Sequence, residues 1–333
     1  MAYNNFQETR SEEGIDGKTP RSNNGNSPSS HLNRPNGSNE PLFPGEEKDH
    51  DPSRRMFQLR KNVMTLVASV LTLGYALWEP RRLQINHIDL KLPSFPESFD
   101  GLRVVHFSDV HLGFHTGQKE LSKLASRIKD QQPDLICFTG DIVERQAEPM
   151  RECVPILASM TARYGKFAVL GNHDYRGRQQ KEVQDMFREA GFTLLRNQHV
   201  VIEQGREKLA VAGLDDALTG RPDPEEAVAG LNECVWKLLL MHEPDYADYA
   251  APYGFGLQLS GHSHGGQVRF PWLGAMTTPR GSRKYIQGLH YTSKLQMPVY
   301  VNRGFGMTQL PIRFLCRPEL TVLHLSRDDV SKR

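Results

Sequence analysis

The sequence contains few cysteines and no excess of charge of either sign. Four cysteines occur in 333 residues and none forms a Cys-x-x-Cys pair, which argues against a zinc ribbon or a disulfide-stabilised fold. Lysine and arginine total 41 and aspartate and glutamate 39, so the overall charge gives no reason to expect a nucleic-acid partner. Only 38% of the residues are hydrophobic, too few for a polytopic membrane protein. A soluble core is expected, and its specificity has to come from a site.

Apolar residues are scarce in the first part of the chain. Residues 1–52 are mostly Asn, Ser, Gly, Pro and charged residues, with hardly any β-branched or aromatic side chains. Ordering such a segment costs roughly 1–2 kcal/mol per residue for the backbone, and little apolar burial offsets that cost. We therefore expect residues 1–52 to be a disordered polar tail.

One apolar stretch follows the tail. Residues 62–78 carry no charge, and as a helix they would be about 25 Å long, barely enough for a hydrocarbon core of about 30 Å. More basic residues precede the stretch than follow it, which places its amino-terminal side in the cytoplasm and the remaining chain outside. Residues 53–57 (Ser-Arg-Arg-Met-Phe) resemble a twin-arginine export signal, and no small-x-small cleavage site follows. We interpret residues 53–82 as a retained signal anchor; the alternative is an amphipathic or buried core helix.

Residues 83–333 show the alternation of short apolar runs and amphipathic stretches that is typical of one α/β domain. Two helices are indicated by apolar residues at i, i+3, i+4 and i+7, starting at Leu121 and Val183. Buried strands are predicted at residues 102–107, 135–138, 167–170, 209–211, 238–241 and 257–259. Two later segments, 298–304 and 320–325, have the alternating pattern of strands with one exposed face.

Potential metal ligands stand where five of the apolar runs end. They are Asp109, His111, Asp141, Asn172, His242, His262 and His264. Because side chains alternate along an extended backbone, two ligands that lie two residues apart are expected to face the same centre. One ion cannot use seven such ligands and keep an open position, whereas two ions that share Asp141 would have four each. Mixed oxygen and imidazole donors favour Mn, Fe or Zn over Ca.

The order of these motifs identifies a family. Asp-x-His, Gly-Asp, Gly-Asn-His-Asp, His and Gly-His-x-His follow one another between residues 102 and 264, and this set resembles the calcineurin-like metallophosphoesterase superfamily. Together with the anchor, residues 265–267, 302–306, 311–313 and 318–319 resemble the bacterial membrane-associated branch typified by YkuE and YaeI. The resemblance implies a four-layer α/β/β/α sandwich of two mixed sheets.

The resemblance also implies roles for single residues. One ion would be held by Asp109, His111 and His264, the other by Asn172, His242 and His262, with Asp141 as the bridge. His173 matches the catalytic histidine of the family. Glu144 and Arg145 stand where related protein phosphatases have an Asp that orients this histidine and an Arg that contacts phosphate. Since Glu replaces Asp here, the orienting role of Glu144 stays open.

The expected activity is hydrolysis of phosphoesters, of the phosphodiesterase or pyrophosphatase type. A hydroxide between two divalent ions would attack phosphorus, and His173 would protonate the leaving oxygen. An anchored, outward-facing domain favours lipid- or envelope-derived phosphoesters. Two alternatives stay open: a lipid-headgroup pyrophosphatase that faces the cytoplasm, and a noncatalytic metal-binding scaffold at the membrane. No nucleic-acid partner is expected.

Overall fold

The computed structural model describes residues 52–328, so the predicted disordered tail lies outside the described residues except for Pro52. The α-helices are α1 (Pro52–Trp78), α2 (Gln118–Asp130), α3 (Glu148–Arg151), α4 (Val154–Ser159), α5 (Gln180–Glu189), α6 (Pro224–Val228) and α7 (Ala247–Ala250). The strands are β1 (Gln84–Leu92), β2 (Leu102–Phe107), β3 (Leu135–Thr139), β4 (Lys166–Val169), β5 (Thr193–Leu194), β6 (Gln198–Gln204), β7 (Glu207–Gly213), β8 (Trp236–Leu240), β9 (Leu257–Ser260), β10 (Arg269–Phe270), β11 (Gly274–Ala275), β12 (Gly288–Tyr291), β13 (Pro298–Val301) and β14 (Glu319–Arg327).

Twelve of the strands form two six-stranded mixed sheets. The first sheet has the order β1-β14-β2-β3-β4-β5, in which only the β14–β2 pair is antiparallel. The second has the order β12-β13-β9-β8-β7-β6, with antiparallel pairs only at its two ends. Both sheets therefore have a parallel centre, so the loops that follow neighbouring strands collect at one edge of each sheet.

The two sheets and the helices on their outer faces form four layers, with one apolar cluster between each neighbouring pair. On the first sheet Val105 and Phe107 pack outward against α2 and α5, whose predicted apolar stripes are buried there. The preceding Val104 faces the other way, into an apolar layer that also contains Leu238 and Leu257 of the second sheet. Residues of α6 and α7 cover the outer face of the second sheet. The predicted α/β/β/α sandwich is confirmed.

All six predicted buried strands occur, but the expectation for the two later strands is wrong. We expected the segments that became β13 and β14 to have one exposed face, whereas all of β13 and most of β14 are buried. Each strand lies inside a six-stranded sheet, and the apolar layers cover both of its faces. In β14 the apolar run is interrupted by Thr321, which is fully buried, and by His324, which is partly buried, and these two polar residues produced the alternation.

Helix α1 contains the predicted apolar stretch and begins ten residues before it. Within the described residues it is the one helix long and apolar enough to cross a membrane, and only 11% of its apolar window is buried. That exposure does not support the alternative of a core helix. Its last turn is attached to the domain: the backbone N–H of Arg313 donates to the carbonyl of Ala76 (3.0 Å), and the rings of Tyr75 and Phe314 are 5.7 Å apart.

Candidate metal centre

The predicted ligands lie in the loops that follow β2, β3, β4, β8 and β9. Among residues 52–328, three groups of His and Asp side chains have potential ligand atoms within 4.8 Å of one another. These groups are Asp109, His111 and His264; His111, Asp141 and His173; and Asp141, His242 and His262. The first and third groups contain the residues predicted for the two ion sites, apart from Asn172. The second group links Asp141 to His173.

The expectation that ligands two residues apart face one centre because they lie in extended backbone is wrong. Asp109, His111, His262 and His264 are not in extended backbone but have φ of 53°, 51°, 67° and 49°. Asp141 is also left-handed, with φ of 60°. Non-glycine residues rarely adopt this region, which costs on the order of 1–3 kcal/mol each and is concentrated at functional sites. Tight left-handed turns, rather than strand alternation, aim these side chains at common points.

The first group is compact and fully buried. His111 Nε2 lies 3.0 Å from His264 Nε2, and His264 Nε2 lies 3.4 Å from Asp109 Oδ1. The outer nitrogen of His111, Nδ1, is 2.8 Å from the carboxylate of Glu144, a contact that favours the ring proton on Nδ1. The lone pair of His111 Nε2 therefore points toward the other two donors.

In the third group the hydrogen bonds of two imidazoles determine their tautomers. His242 Nδ1 donates to the Thr139 carbonyl (2.6 Å), and His262 Nε2 donates to the Arg280 carbonyl (2.8 Å). In the neutral rings the remaining nitrogens, His242 Nε2 and His262 Nδ1, would each carry a lone pair. These two nitrogens lie 3.1 Å apart. Two acceptors at this distance repel each other unless a proton or a metal cation lies between them. Although burial alone would lower it, Asp141 raises the pKa of His242 well above its usual value, so a proton can occupy this position, and a bound metal ion would replace it. The donor set therefore fits a metal ion.

Asp141 lies between the two groups. Its Oδ2 is 3.3 Å from His242 Nε2 and 3.7 Å from His111 Nε2, while its Oδ1 accepts the backbone N–H of His173 (2.8 Å). Burial alone would raise its pKa, but the surrounding imidazoles, His242 first, hold the pKa of Asp141 well below its usual value. A charged oxygen that faces both groups is suited to bridge two cations.

Asn172 is the remaining predicted ligand. Its Oδ1 is buried and has no hydrogen-bond partner among the described residues. A buried amide oxygen without a partner costs about 1–3 kcal/mol, and a bound ion would offset that cost. Asn172 therefore fits a metal ion by its own chemistry.

His173 and Glu144 lie beside the metal ligands. The Nδ1 of His173 is 3.0 Å from the Glu144 carbonyl and 3.1 Å from its Oε2. Although burial alone would lower it, this carboxylate raises the pKa of His173. Burial alone would raise the pKa of Glu144, but the neighbouring His111 and His173 lower it to about 2. Glu144 is thus charged, and its carboxylate contacts His173 Nδ1, as the predicted orienting role requires.

Arg145, the residue predicted to contact phosphate, is exposed. No ion pair or hydrogen bond of its side chain is found in residues 52–328. The neighbouring cation that does approach the site is Arg176, whose Nη1 is 3.3 Å from Glu144 Oε1. Nothing in the sequence pattern distinguished Arg176, because it follows the metal-ligand motif without belonging to it.

Two buried charged residues that the sequence analysis left out support the ligand loops. The carboxylate of Asp174 accepts the backbone N–H groups of Gly171, Asp141, Ile142 and Val143, at 2.9–3.2 Å. The guanidinium of Arg313, fully buried, donates to the carbonyls of Arg303, Gly304, Gly306 and Cys316. Asp174 is the last residue of Gly-Asn-His-Asp and Arg313 belongs to the recognised segment 311–313, but neither pattern indicated that the residue supports the ligand loops.

Fold and donor set together define a metallophosphoesterase, and comparison with known proteins agrees. The family model for calcineurin-like phosphoesterase matches residues 102–266. YkuE of Bacillus subtilis, an uncharacterized metallophosphoesterase, is 38% identical over 82% of this chain and 97% of its own length. The chain belongs to the calcineurin-like phosphoesterase family and is a hydrolase.

Two further relatives have more specific names. The phosphodiesterase YaeI of Escherichia coli is 28% identical over 81% of this chain and its whole length. LpxG of Chlamydia muridarum, a UDP-2,3-diacylglucosamine pyrophosphatase, is 27% identical over 74% of this chain and 90% of its own length.

Proposed function

We propose that the protein is a phosphodiesterase or pyrophosphatase with two divalent cations at its centre. One observation carries the proposal: His242 Nε2 and His262 Nδ1, the ring nitrogens that do not face a backbone carbonyl, converge at 3.1 Å beside Asp141, whose Oδ2 also faces the first donor group. Asp109, His111 and His264 would hold one cation and Asn172, His242 and His262 the other. Mn, Fe and Zn suit this mixture of donors.

Two such cations, when bound, acidify a water for attack on phosphorus and neutralise charge on the phosphate oxygens. The chain's own part starts with His173. Its Nδ1 is held by Glu144, so Nε2 is the nitrogen from which an imidazolium donates a proton to the departing oxygen. The carboxylate of Glu144 favours the protonated form of that imidazole and would fix its orientation. Arg176, paired with Glu144 at the rim, would attract an anionic substrate.

We infer that the substrate is a phosphoester of a lipid or of the cell envelope. Helix α1 has the composition of a membrane anchor, and the excess of basic residues before its apolar stretch supports a catalytic domain outside the cytoplasm. The names of YaeI and LpxG support cleavage of a phosphodiester or a pyrophosphate bond in this branch of the family. Residues 53–55 fit export by the twin-arginine route.

A second orientation is favoured by the relative LpxG, whose substrate name describes an acylated nucleotide sugar. In that case α1 would hold a pyrophosphatase against the cytoplasmic face of the membrane. Fusion of an epitope tag directly after Trp78 separates the two orientations, because a protease added to intact spheroplasts reaches the tag only if it lies outside the cytoplasm. The noncatalytic scaffold predicts metal binding without turnover.

The central test uses the full chain in detergent with Mn²⁺ and bis-p-nitrophenyl phosphate. His173→Ala should keep its metal content but lose about 100-fold or more of turnover, while Asp141→Asn should lose both. His115→Ala, which removes an exposed histidine outside the donor groups, is the matched control and should change neither. Full turnover in His173→Ala would refute the assignment of this residue, and metal uptake without turnover in the unmodified chain would favour the scaffold.

A further inference from the structure

A short hairpin exposes large apolar side chains next to the metal centre. Strands β10 and β11 pair antiparallel, and we call residues 269–276 the apolar hairpin. Trp272 is 103% exposed and Leu273 80%, and Met276 and Phe270 are also exposed. Scattered exposed apolar residues are common, but a contiguous set at the tip of one hairpin marks an interaction site.

The apolar hairpin is tied to the end of helix α1. The backbone N–H of Arg269 donates to the Phe314 carbonyl (2.9 Å), and the ring of Phe314 lies between those of Phe270 (5.6 Å) and Tyr75 (5.7 Å). Tyr75 belongs to the last turn of α1, where Trp78 is half exposed and packs under the guanidinium of Arg82. Aromatic residues followed by arginines are typical of the point where a spanning helix leaves the bilayer.

The base of the apolar hairpin also contacts the loop that contains His264. Arg269 Nη1 donates to the carbonyl of Gly265, the residue after the ligand His264 (2.8 Å). Gly266 packs so closely on Ala275 that a Cβ there would lie 2.3 Å from the Ala275 Cβ. These contacts fix the apolar hairpin relative to the candidate metal centre. Any surface that binds the hairpin tip would therefore lie at a defined distance from that centre.

We propose that the apolar hairpin inserts into the lipid interface beside α1 and seats the metal centre on the membrane surface. The inference rests on the proposed membrane attachment of α1. A bilayer is favoured over a protein partner because the hairpin is continuous with the aromatic end of a helix that has bilayer composition. Trp, Leu, Met and Phe are the side chains that interfacial elements bury among headgroups and acyl chains. The second attachment would bring lipid-borne phosphoesters to the ligand loops.

Spin labels on the full chain in vesicles of phosphatidylethanolamine and phosphatidylglycerol test the insertion. Cys234→Ser removes the exposed cysteine and leaves three buried ones. In that background a label at Leu273→Cys should be more accessible to oxygen than to a water-soluble nickel chelate. A label at Tyr249→Cys, on the exposed face of α7, should show the reverse, and a label at Leu66→Cys reports on α1 itself. Chelate access at 273 equal to that at 249 overturns the proposal.

The label at position 66 separates the two hypotheses. Oxygen-rich surroundings at 66 together with aqueous surroundings at 273 would overturn the hairpin insertion alone, and aqueous surroundings at both would overturn the attachment of α1 as well. A functional comparison adds a readout: Trp272→Ser combined with Leu273→Ser should lower hydrolysis of a vesicle-borne phospholipid ester by about tenfold. Hydrolysis of soluble bis-p-nitrophenyl phosphate should stay unchanged. Equal vesicle activity in both proteins would contradict the proposed role.

Discussion

Replacement of Glu144 by glutamine tests whether this carboxylate acts on the reacting histidine. The side chain is only 13% exposed, and its Oε2 lies 2.8 Å from His111 Nδ1 and 3.1 Å from His173 Nδ1. Glutamine keeps the shape but removes the charge, so one charge-assisted hydrogen bond to each imidazole is weakened. Such bonds contribute about 1.5–3 kcal/mol, and loss of one corresponds to about a 10- to 150-fold decrease in kcat.

The assay is the initial rate of bis-p-nitrophenyl phosphate hydrolysis at several Mn²⁺ concentrations, with bound metal measured on the same samples. Glu144→Asp, which restores the residue of the related protein phosphatases, shortens the side chain by one methylene and should recover part of the loss at most. Glu148→Gln, an exposed acid in α3, is the control and should leave the rate unchanged. If Glu144→Gln has the kcat and the metal affinity of the unmodified protein, the positioning role is wrong.

Three other perturbations have defined outcomes. Gly261→Ala should lose bound metal, because its Cβ would lie 2.3 Å from Asp109 Oδ2, whereas Gly74→Ala, with no atom within 4 Å, should not; normal metal content in Gly261→Ala would contradict the geometry. Chelation of metal should lower the Tm by roughly 5–10 °C, since saturation at 100 Kd contributes about 2.7 kcal/mol, and an unchanged Tm in a thermal scan would argue against bound cations. Glu319 is buried and paired with Arg303 at 2.7 Å; burial alone would raise its pKa, but Arg303 lowers it below 4.5. Its contribution should therefore be present above about pH 4.5 and lost as the pH falls through its folded value, so urea midpoints of Glu319→Gln should be lower than those of the unmodified protein at pH 7 and converge with them in acid.

The features that follow from local sequence patterns could be predicted from the sequence. Apolar runs predicted β2, β3, β4, β7, β8 and β9, and the ends of those strands predicted which side chains approach one another. The layered sandwich and the family followed from the order of the motifs rather than from any one of them. The roles of the individual ligands and of His173 stay predictions for the experiments above.

Other features depend on contacts that no local pattern records. The left-handed backbone of Asp109, His111, Asp141, His262 and His264 has no sequence signature, because side chains other than glycine are not favoured there. Arg313 resembles a surface residue in sequence and becomes buried only because four carbonyls from distant segments surround its guanidinium. The failed expectation for β14 has the same origin, since only the assembled sheets show that both faces are covered.

If the proposed cations bind, the converging nitrogens of His242 and His262 link metal acquisition to folding. A cation between these rings would favour closure of the loops with their left-handed turns, so the free energy of ion binding would become part of the free energy of folding. The compartment in which the chain folds would then decide which ions compete for the donors, because affinity alone follows the same order in any compartment. If the proposed export takes place, a chain folded beforehand would carry cytosolic metal, and one folded afterwards would bind the ions that its surroundings supply.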